Sequence, residues 1–184
     1  MSEIEVFTIG HSNHTIERFI GLLEQHKIHA LVDIRRFPSS RRYPHFNRPN
    51  LAEALAEHGI EYHWLESLGG HRKVGLADSP NFAIRDESFR NYADHMFGDE
   101  FRQGADRLLE IAKNMRVVTM CAESSFHQCH RKLLGDFLLA NGVRVQHILP
   151  SGDLQPHKLS DGAKVENGKV TYPESHPLFD ANDG

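Results

Sequence analysis

Residues Val117 to Ile148 read VVTMCAESSFHQCHRKLLGDFLLANGVRVQHI. Val117-Val118-Thr119-Met120 is a β-rich run, and a polar loop follows it from Cys121. A helix is predicted to begin near Cys129, with Leu133, Leu134, Phe137 and Leu138 as its apolar stripe. Asn141-Gly142 ends it, and Val143-Arg144-Val145-Gln146-His147-Ile148 is again strand-like. Strand, helix and strand in so short a span predict a parallel crossover unit.

The same order of elements occurs twice upstream. Glu5-Val6-Phe7-Thr8-Ile9 opens the chain as a strand. Thr15 is then the expected N-cap of a helix whose Ile16, Phe19, Ile20 and Leu23 share one face. Ala30-Leu31-Val32-Asp33-Ile34 reads as a buried strand. The next helix is expected to start at Asn50, with Glu53 as capping-box partner and Leu51, Ala52, Leu55 and Ala56 as its stripe. Gly59 suits its C-terminal end, and Ile60-Glu61-Tyr62-His63-Trp64 follows as a strand. A helix carrying Leu108, Leu109 and Ala112 leads into Val117. Such alternation predicts an α/β fold in three layers: a mostly parallel sheet of about five strands with helices on both faces. Residues 1–150 are expected to form this domain. Residues 151–184 are expected to be a C-terminal extension packed on it, a loop or small hairpin turning at Asn167-Gly168.

Composition narrows the class. A chain of 184 residues with 39% hydrophobic and 25% charged residues fits a folded domain and excludes a disordered one. At this length folding buries about 70% of the unfolded surface, so no disulfide or metal staple is required. No apolar run approaches the roughly 20 residues of a membrane span. Met1-Ser2-Glu3-Ile4-Glu5 reads as neither signal nor transit peptide, and two cysteines make no disulfide framework, so a cytoplasmic location is expected. The net charge of -4 argues against a generally basic coat. The stretch from Ile34 to Leu51 nevertheless holds Arg35, Arg36, Arg41, Arg42 and Arg48 with no acid, whereas Glu174, Asp180 and Asp183 lie in the final stretch. A local cationic loop on an acidic chain suggests an aimed anion site.

Ligands of open parallel sheets sit beyond the carboxyl ends of the strands. The richest of these ends is Cys121-Ala122-Glu123, leading through Phe126, His127 and Gln128 to Cys129-His130-Arg131. Free amides at a helix N-terminus attract anions and lower a nearby thiol's pKa. Arg131 in the first turn is a fork for phosphate or carboxylate, and Glu123 is a candidate general base. Cys121 is the candidate nucleophile. A metal or redox site on Cys121, Cys129, His127 and His130 is the competing reading. The C-x7-C-H spacing matches no structural zinc pattern, so no metal is expected, and the ten positions from Cys121 to Arg131 do not match a Cys-x5-Arg phosphatase loop. The bland alternative is a small buried cysteine at a strand end beside an ordinarily capped helix.

Asp33-Ile34-Arg35-Arg36 opens a long loop to Arg48 in which arginines alternate with Phe37, Tyr43 and Phe46, a composition suited to phosphates and stacked bases. Asp33, Arg35 and Arg36 are its ligand-binding candidates, against the plain reading of a solvated loop whose arginines pair with local acids. Gly10-His11-Ser12 follows the first strand. His11 is a candidate acid or base and Ser12 a phosphate contact, with a structural histidine as the alternative. The loop is neither a Walker loop nor GxGxxG, and no cofactor is expected. Leu68-Gly69-Gly70-His71-Arg72-Lys73 is a basic loop read as a lid or as plain surface. Asp94-His95-Met96, on a helix with Phe89 and Tyr92, is read as core stripe.

Several of these pieces stand in the order that resembles the bacterial "domain of unknown function" family 488: Thr8-Ile9-Gly10-His11-Ser12, Val32 to Ser40, Phe46-Asn47, Leu68-Gly69-Gly70, Tyr92 to Met96, Cys121-Ala122-Glu123 and Cys129-His130-Arg131. The resemblance runs to about Tyr172 and implies a single α/β domain without an assigned activity. Between Glu123 and Cys129 many relatives carry a proline, a tryptophan and an arginine; Phe126, His127 and Gln128 stand here instead. The functional expectation is an enzyme, or an enzyme-like binder, of a phosphorylated ligand such as a nucleotide or nucleic acid. Arg35, Arg36 and Arg131 would hold phosphate, with Cys129 and His130 beside them. The alternatives are a non-catalytic nucleic-acid-binding module and a Cys/His metal or redox protein. No membrane partner is expected.

Overall fold

The computed structural model describes residues 3–173. Glu174, Asp180 and Asp183, read above as an acidic end, lie outside the described residues. Five parallel strands form the centre: β1 (Glu5–Gly10), β2 (Ala30–Asp33), β3 (Glu61–Trp64), β4 (Val117–Cys121) and β5 (Arg144–Ile148). A sixth, β6 (Leu154–Pro156), pairs antiparallel with β5. The order across the sheet is β3-β2-β4-β1-β5-β6. Leu154-Gln155-Pro156 carries no alternating apolar pattern, which is why this edge strand escapes a pattern reading. Proline fits there because an edge strand leaves some amide positions unpaired.

The pleat divides the core. Phe7 and Ile9 of β1, Leu31 of β2, and Val118 and Met120 of β4 face α1 (Ile16–Gln25) and α2 (Arg48–Glu57). Val6, Ala30, Val32, Val117 and Val145 face the other way, onto α3 (Glu87–His95), α4 (Asp99–Asn114) and α5 (Arg131–Ala140). Thr15 caps α1 as expected, its hydroxyl accepting from the amide of Arg18 at 3.1 Å. The start of α2 differs from expectation. Its N-cap is Asn47, three residues before Asn50, and Pro49 sits in the first turn, where the missing N–H costs nothing. The Asn50–Glu53 capping box is therefore not formed. The small hairpin β7 (Lys164–Glu166) and β8 (Lys169–Thr171) turns at Asn167 (φ 53°) and Gly168 (φ 76°), the left-handed pair a two-residue hairpin turn requires. No helix among the described residues is long and apolar enough to cross a membrane.

The topology places the site. The chain leaves β1 for α1 on one face and leaves the adjacent β4 for α5 on the opposite face. Loops that part in this way open a crevice at the carboxyl ends of the two strands. Gly10 and Cys121 pair there.

Candidate functional site

Beyond the last ladder pair, β1 and β4 stay zipped. The amide of His11 donates to the Cys121 carbonyl (2.9 Å) and that of Ser12 to the Ala122 carbonyl (3.0 Å). Gly10 is required by this approach, since a Cβ there would lie 1.7 Å from the Glu123 carbonyl oxygen. Gly70 serves a second close approach, because its Cβ would strike the His130 ring. Between these contacts lies a cavity of about 280 Å³, walled by Arg35, Arg36, Phe37, His71, Cys121, Glu123, Cys129 and His130 among others.

The two cysteines are the centre of its floor. Both are free and buried, and their sulfurs lie 2.8 Å apart. Cys121 ends β4. Cys129 comes two residues before α5, and its sulfur accepts from the amide of Arg131 at 3.5 Å. Burial alone would raise the Cys129 thiol. The hydrogen bond shared with Cys121, the Arg131 guanidinium and the Arg131 amide outweigh it and lower the thiol to about 7. Cys121 moves the other way, raised by burial and by the same sulfur contact. One thiol of the pair is thus poised as thiolate and the other held as thiol.

Arg131 lies beneath this floor, 1% exposed. Its Nη1 donates to Thr8 Oγ1 (3.1 Å), and its Nη2 donates to the carbonyls of Glu123 (2.9 Å) and Ser124 (3.2 Å). No carboxylate contacts it among the described residues, and its Nε has no partner there. A buried cation without a counter-ion costs several kcal/mol. The sulfurs are the groups nearby that can carry negative charge. The guanidinium read above as a phosphate fork is therefore outside the cavity lining, held beside the two sulfurs and not open to a ligand.

Arg35 is spent differently. It is 7% exposed, and Asp33 holds it through Nε (2.9 Å) and Nη2 (2.8 Å), with Nη2 also donating to the Phe46 carbonyl (2.8 Å). Tyr62 donates to Asp33 Oδ2 at 2.5 Å, the oxygen that also accepts from Arg35 Nη2. Arg36 is more open. Its Nη1 donates to the His71 carbonyl (2.7 Å), and its Nε lies 3.5 Å from Glu66.

The structure brings Cys121, Glu123, Cys129, His130, Arg35 and Arg36 to one cavity. It places His11, Ser12, Asp33 and Arg131 outside the cavity lining, although on the same edge of the sheet. The His11 ring stacks on Phe46 at 4.4 Å, and burial lowers its pKa to about 4. Ser12 takes a positive φ of 46° in the turn. The Glu123 side chain is exposed. Its carbonyl makes the contacts with Arg131 and Cys121. His130, packed against Tyr92 and Phe89, is lowered to about 4 by burial and by His71. Among the described residues no group of three or more His, Cys, Asp or Glu side chains is arranged to hold a metal ion.

Asp94, read above as core stripe, is buried and anchors the loop that leads into α3. It accepts from Leu76 N (2.9 Å), Ser79 Oγ (2.5 Å) and Asn81 Nδ2 (2.8 Å). A carboxylate set between Tyr92-Ala93 and Met96 on a helix is the signal that marks it. Sequence reading also missed His147, His157 and Asp136, which lie behind Arg131. His147 on the inward face of a buried strand was the available signal.

No curated protein and no solved structure matches the chain significantly. The family model described as "Domain of unknown function DUF488" matches residues 15–138, a span holding both cysteines, Arg35, Arg36 and Arg131. Taken with the order of motifs along the strand ends, that match means that the chain belongs to the DUF488 family.

Proposed function

We propose that the protein is a dithiol enzyme whose cavity carries out thiol–disulfide exchange on a small disulfide bearing carboxylates. The observation that carries this reading is the pair of free thiols 2.8 Å apart in the cavity floor. Cys129, as thiolate, attacks one sulfur of the substrate disulfide. That S–S bond breaks, a mixed disulfide forms on Cys129, and one thiolate leaves. Cys121 then gives up its proton and attacks the Cys129 sulfur. The second thiol is released and Cys121–Cys129 becomes the disulfide, so two electrons pass from protein to substrate. An attacking thiol works best when its pKa is near ambient pH, which suits Cys129. Arg36 and His71 on the cavity wall suit an anionic substrate.

The test uses oxidised glutathione as probe and intact-protein mass spectrometry as readout. The wild-type chain is expected to lose the mass of two hydrogens. Cys121→Ser is expected to trap glutathione on Cys129, and Cys129→Ser to trap none there. If the wild-type thiols stay reduced and Cys121→Ser traps nothing, the reading is wrong.

A second reading, contact with phosphate or nucleic acid, is favoured by the loop after Arg36. Phe37 is 68% exposed, and Arg36 sits 5.7 Å from its ring centre. Arg41 and Arg42 are exposed beside it. Stacking and phosphate contact together predict single-strand binding that weakens steeply with salt. Affinity for an oligonucleotide at two salt concentrations, wild type against Arg41→Glu/Arg42→Glu, checks this; equal affinities would exclude the loop.

A further inference from the structure

Behind Arg131 runs an unbroken line of buried polar side chains. Thr8 Oγ1 lies 2.6 Å from His147 Nδ1, His147 Nε2 2.8 Å from His157 Nδ1, and His157 Nε2 2.8 Å from Asp136 Oδ1. The other carboxylate oxygen of Asp136 accepts from Tyr172 Oη at 2.8 Å. Thr8, His147 and Asp136 are at most 2% exposed and His157 is 7% exposed. The residues come from four places: β1, β5, α5 and the segment after β6.

A carboxylate only accepts, so with both imidazoles neutral it fixes the direction of every bond in the line. His157 donates from Nε2 to Asp136, which leaves its Nδ1 as an acceptor. His147 therefore donates from Nε2, and its own Nδ1 accepts. Thr8 must donate its hydroxyl proton to that nitrogen. Its lone pairs are left to face Arg131 Nη1, which donates to Thr8 at 3.1 Å. His147 is lowered to about 2 by burial, then by His157 and Arg131, so it stays neutral as this pattern needs. Phe126 stacks on its ring at 3.7 Å and closes that side.

Given the dithiol chemistry proposed above, we infer that Asp136, His157, His147 and Thr8 form a positioning relay that aims the Arg131 guanidinium at the cysteine pair and so sets how readily Cys129 becomes a thiolate. None of the four touches the cavity. They act through Arg131. The other charged or titratable groups facing Cys129 are Cys121 from β4 and Tyr92 from α3, with Arg35, Arg36, His71, Glu123 and His130 lining the cavity.

The test is a thiolate titration by ultraviolet absorbance in the full chain carrying Cys121→Ser, where Cys129 is the sole thiol. In that background Thr8→Val removes the acceptor for Arg131 with little change of shape. It is expected to raise the Cys129 midpoint by about one pH unit, a tenfold loss of thiolate at a given pH. Thr8→Ser keeps the hydroxyl and is expected to restore the parent midpoint. Asp136→Asn separates the relay from simple charge. Removing an anion acting through space would lower the midpoint, whereas loss of the fixed bond direction raises it. In a Thr8→Val background Asp136→Asn should then add nothing. A midpoint unmoved by Thr8→Val, or a fall in Asp136→Asn, overturns the relay. The titration needs no substrate. A low midpoint with no glutathione exchange sinks the proposed activity and leaves the relay standing, and exchange with an unmoved midpoint does the reverse.

Discussion

Two buried arginines stand at the same edge of the sheet, and their surroundings differ in one respect. Arg35 has a carboxylate: Asp33, two positions earlier, meets it with two oxygens, and the pair is closed off by Tyr62 and the Phe46 carbonyl. Arg131 has no carboxylate among the described residues: it donates to neutral oxygens of Thr8 and two backbone carbonyls, with the two cysteine sulfurs beside it. A guanidinium neutralised on the spot holds a loop in place and projects little field. One left with neutral acceptors keeps its field, and the groups that can answer it are the sulfurs above. The chemical difference between the two ends of the cleft thus follows from where one carboxylate lies.

The largest expected effect breaks the Arg35 side. Arg35→Met leaves the Asp33 carboxylate buried without its cation, and unfolding in urea is expected to show a loss of about 3–5 kcal/mol. With the Cys121→Ser background holding Cys129 as sole thiol, its titration midpoint should stay put. Arg131→Met is expected to show the reverse emphasis. It removes a cation that lacked a carboxylate, at a cost of about 2–3 kcal/mol from the orphaned oxygens, and it raises the Cys129 midpoint by more than one pH unit. If both variants moved the thiol equally, the contrast between the two arginines would be false.

Acid sharpens the comparison with a smaller effect. His11 sits by the Arg35 pair and is lowered to about 4, chiefly by burial. Above pH 6.5 it is neutral in both folded and unfolded chains, and stability is full. As pH falls below 6.5 the unfolded chain takes a proton that the folded chain refuses until about 4, so stability drops through that window. His11→Phe is expected to flatten the fall by up to about 1.4 kcal/mol per pH unit, measured by urea unfolding at pH 7, 6 and 5. His147, on the Arg131 side, is lowered further and should still contribute where His11 has ceased to.

Much of the fold is legible in the sequence. The spacing of Phe19, Ile20 and Leu23 and the runs at Ala30 and Val117 give α1 and two central strands, because a 3.6-residue stripe and a short apolar run leave few alternatives. Strand ends that carry His11, Arg35 and Cys121 point to one rim of the sheet, the rim where the cavity lies. Asn47 and Asn50 are equally good caps by residue type, so the start of α2 was not readable from capping alone, although Pro49 was a signal for the earlier one. The neutralisation of Arg35 was also readable in principle, since alternation puts positions 33 and 35 on one side of an extended chain. The partners of Arg131 were not. Thr8, His147, His157 and Asp136 are brought together by strand order and by the turn between β5 and β6, neither of which leaves a local pattern.

The smallest expected effect concerns Glu123, the carboxylate beside both thiols in sequence. The structure uses its backbone oxygen, which accepts from Arg131 at 2.9 Å, while its side chain is exposed. Glu123→Gln keeps that carbonyl and changes only the carboxylate. Stability is expected to change by no more than about 0.5 kcal/mol, as for most exposed substitutions. The rate at which oxidised glutathione forms the Cys121–Cys129 disulfide should change less than about threefold, because a thiolate held by Arg131 needs no separate base to form it. A tenfold or greater slowing, with the Cys129 midpoint unmoved, would show the carboxylate accepting the proton that Cys121 sheds in the second step. The field of Arg131 would then account for the first attack alone, and the cleft would need an acid–base group that the two-arginine contrast leaves out.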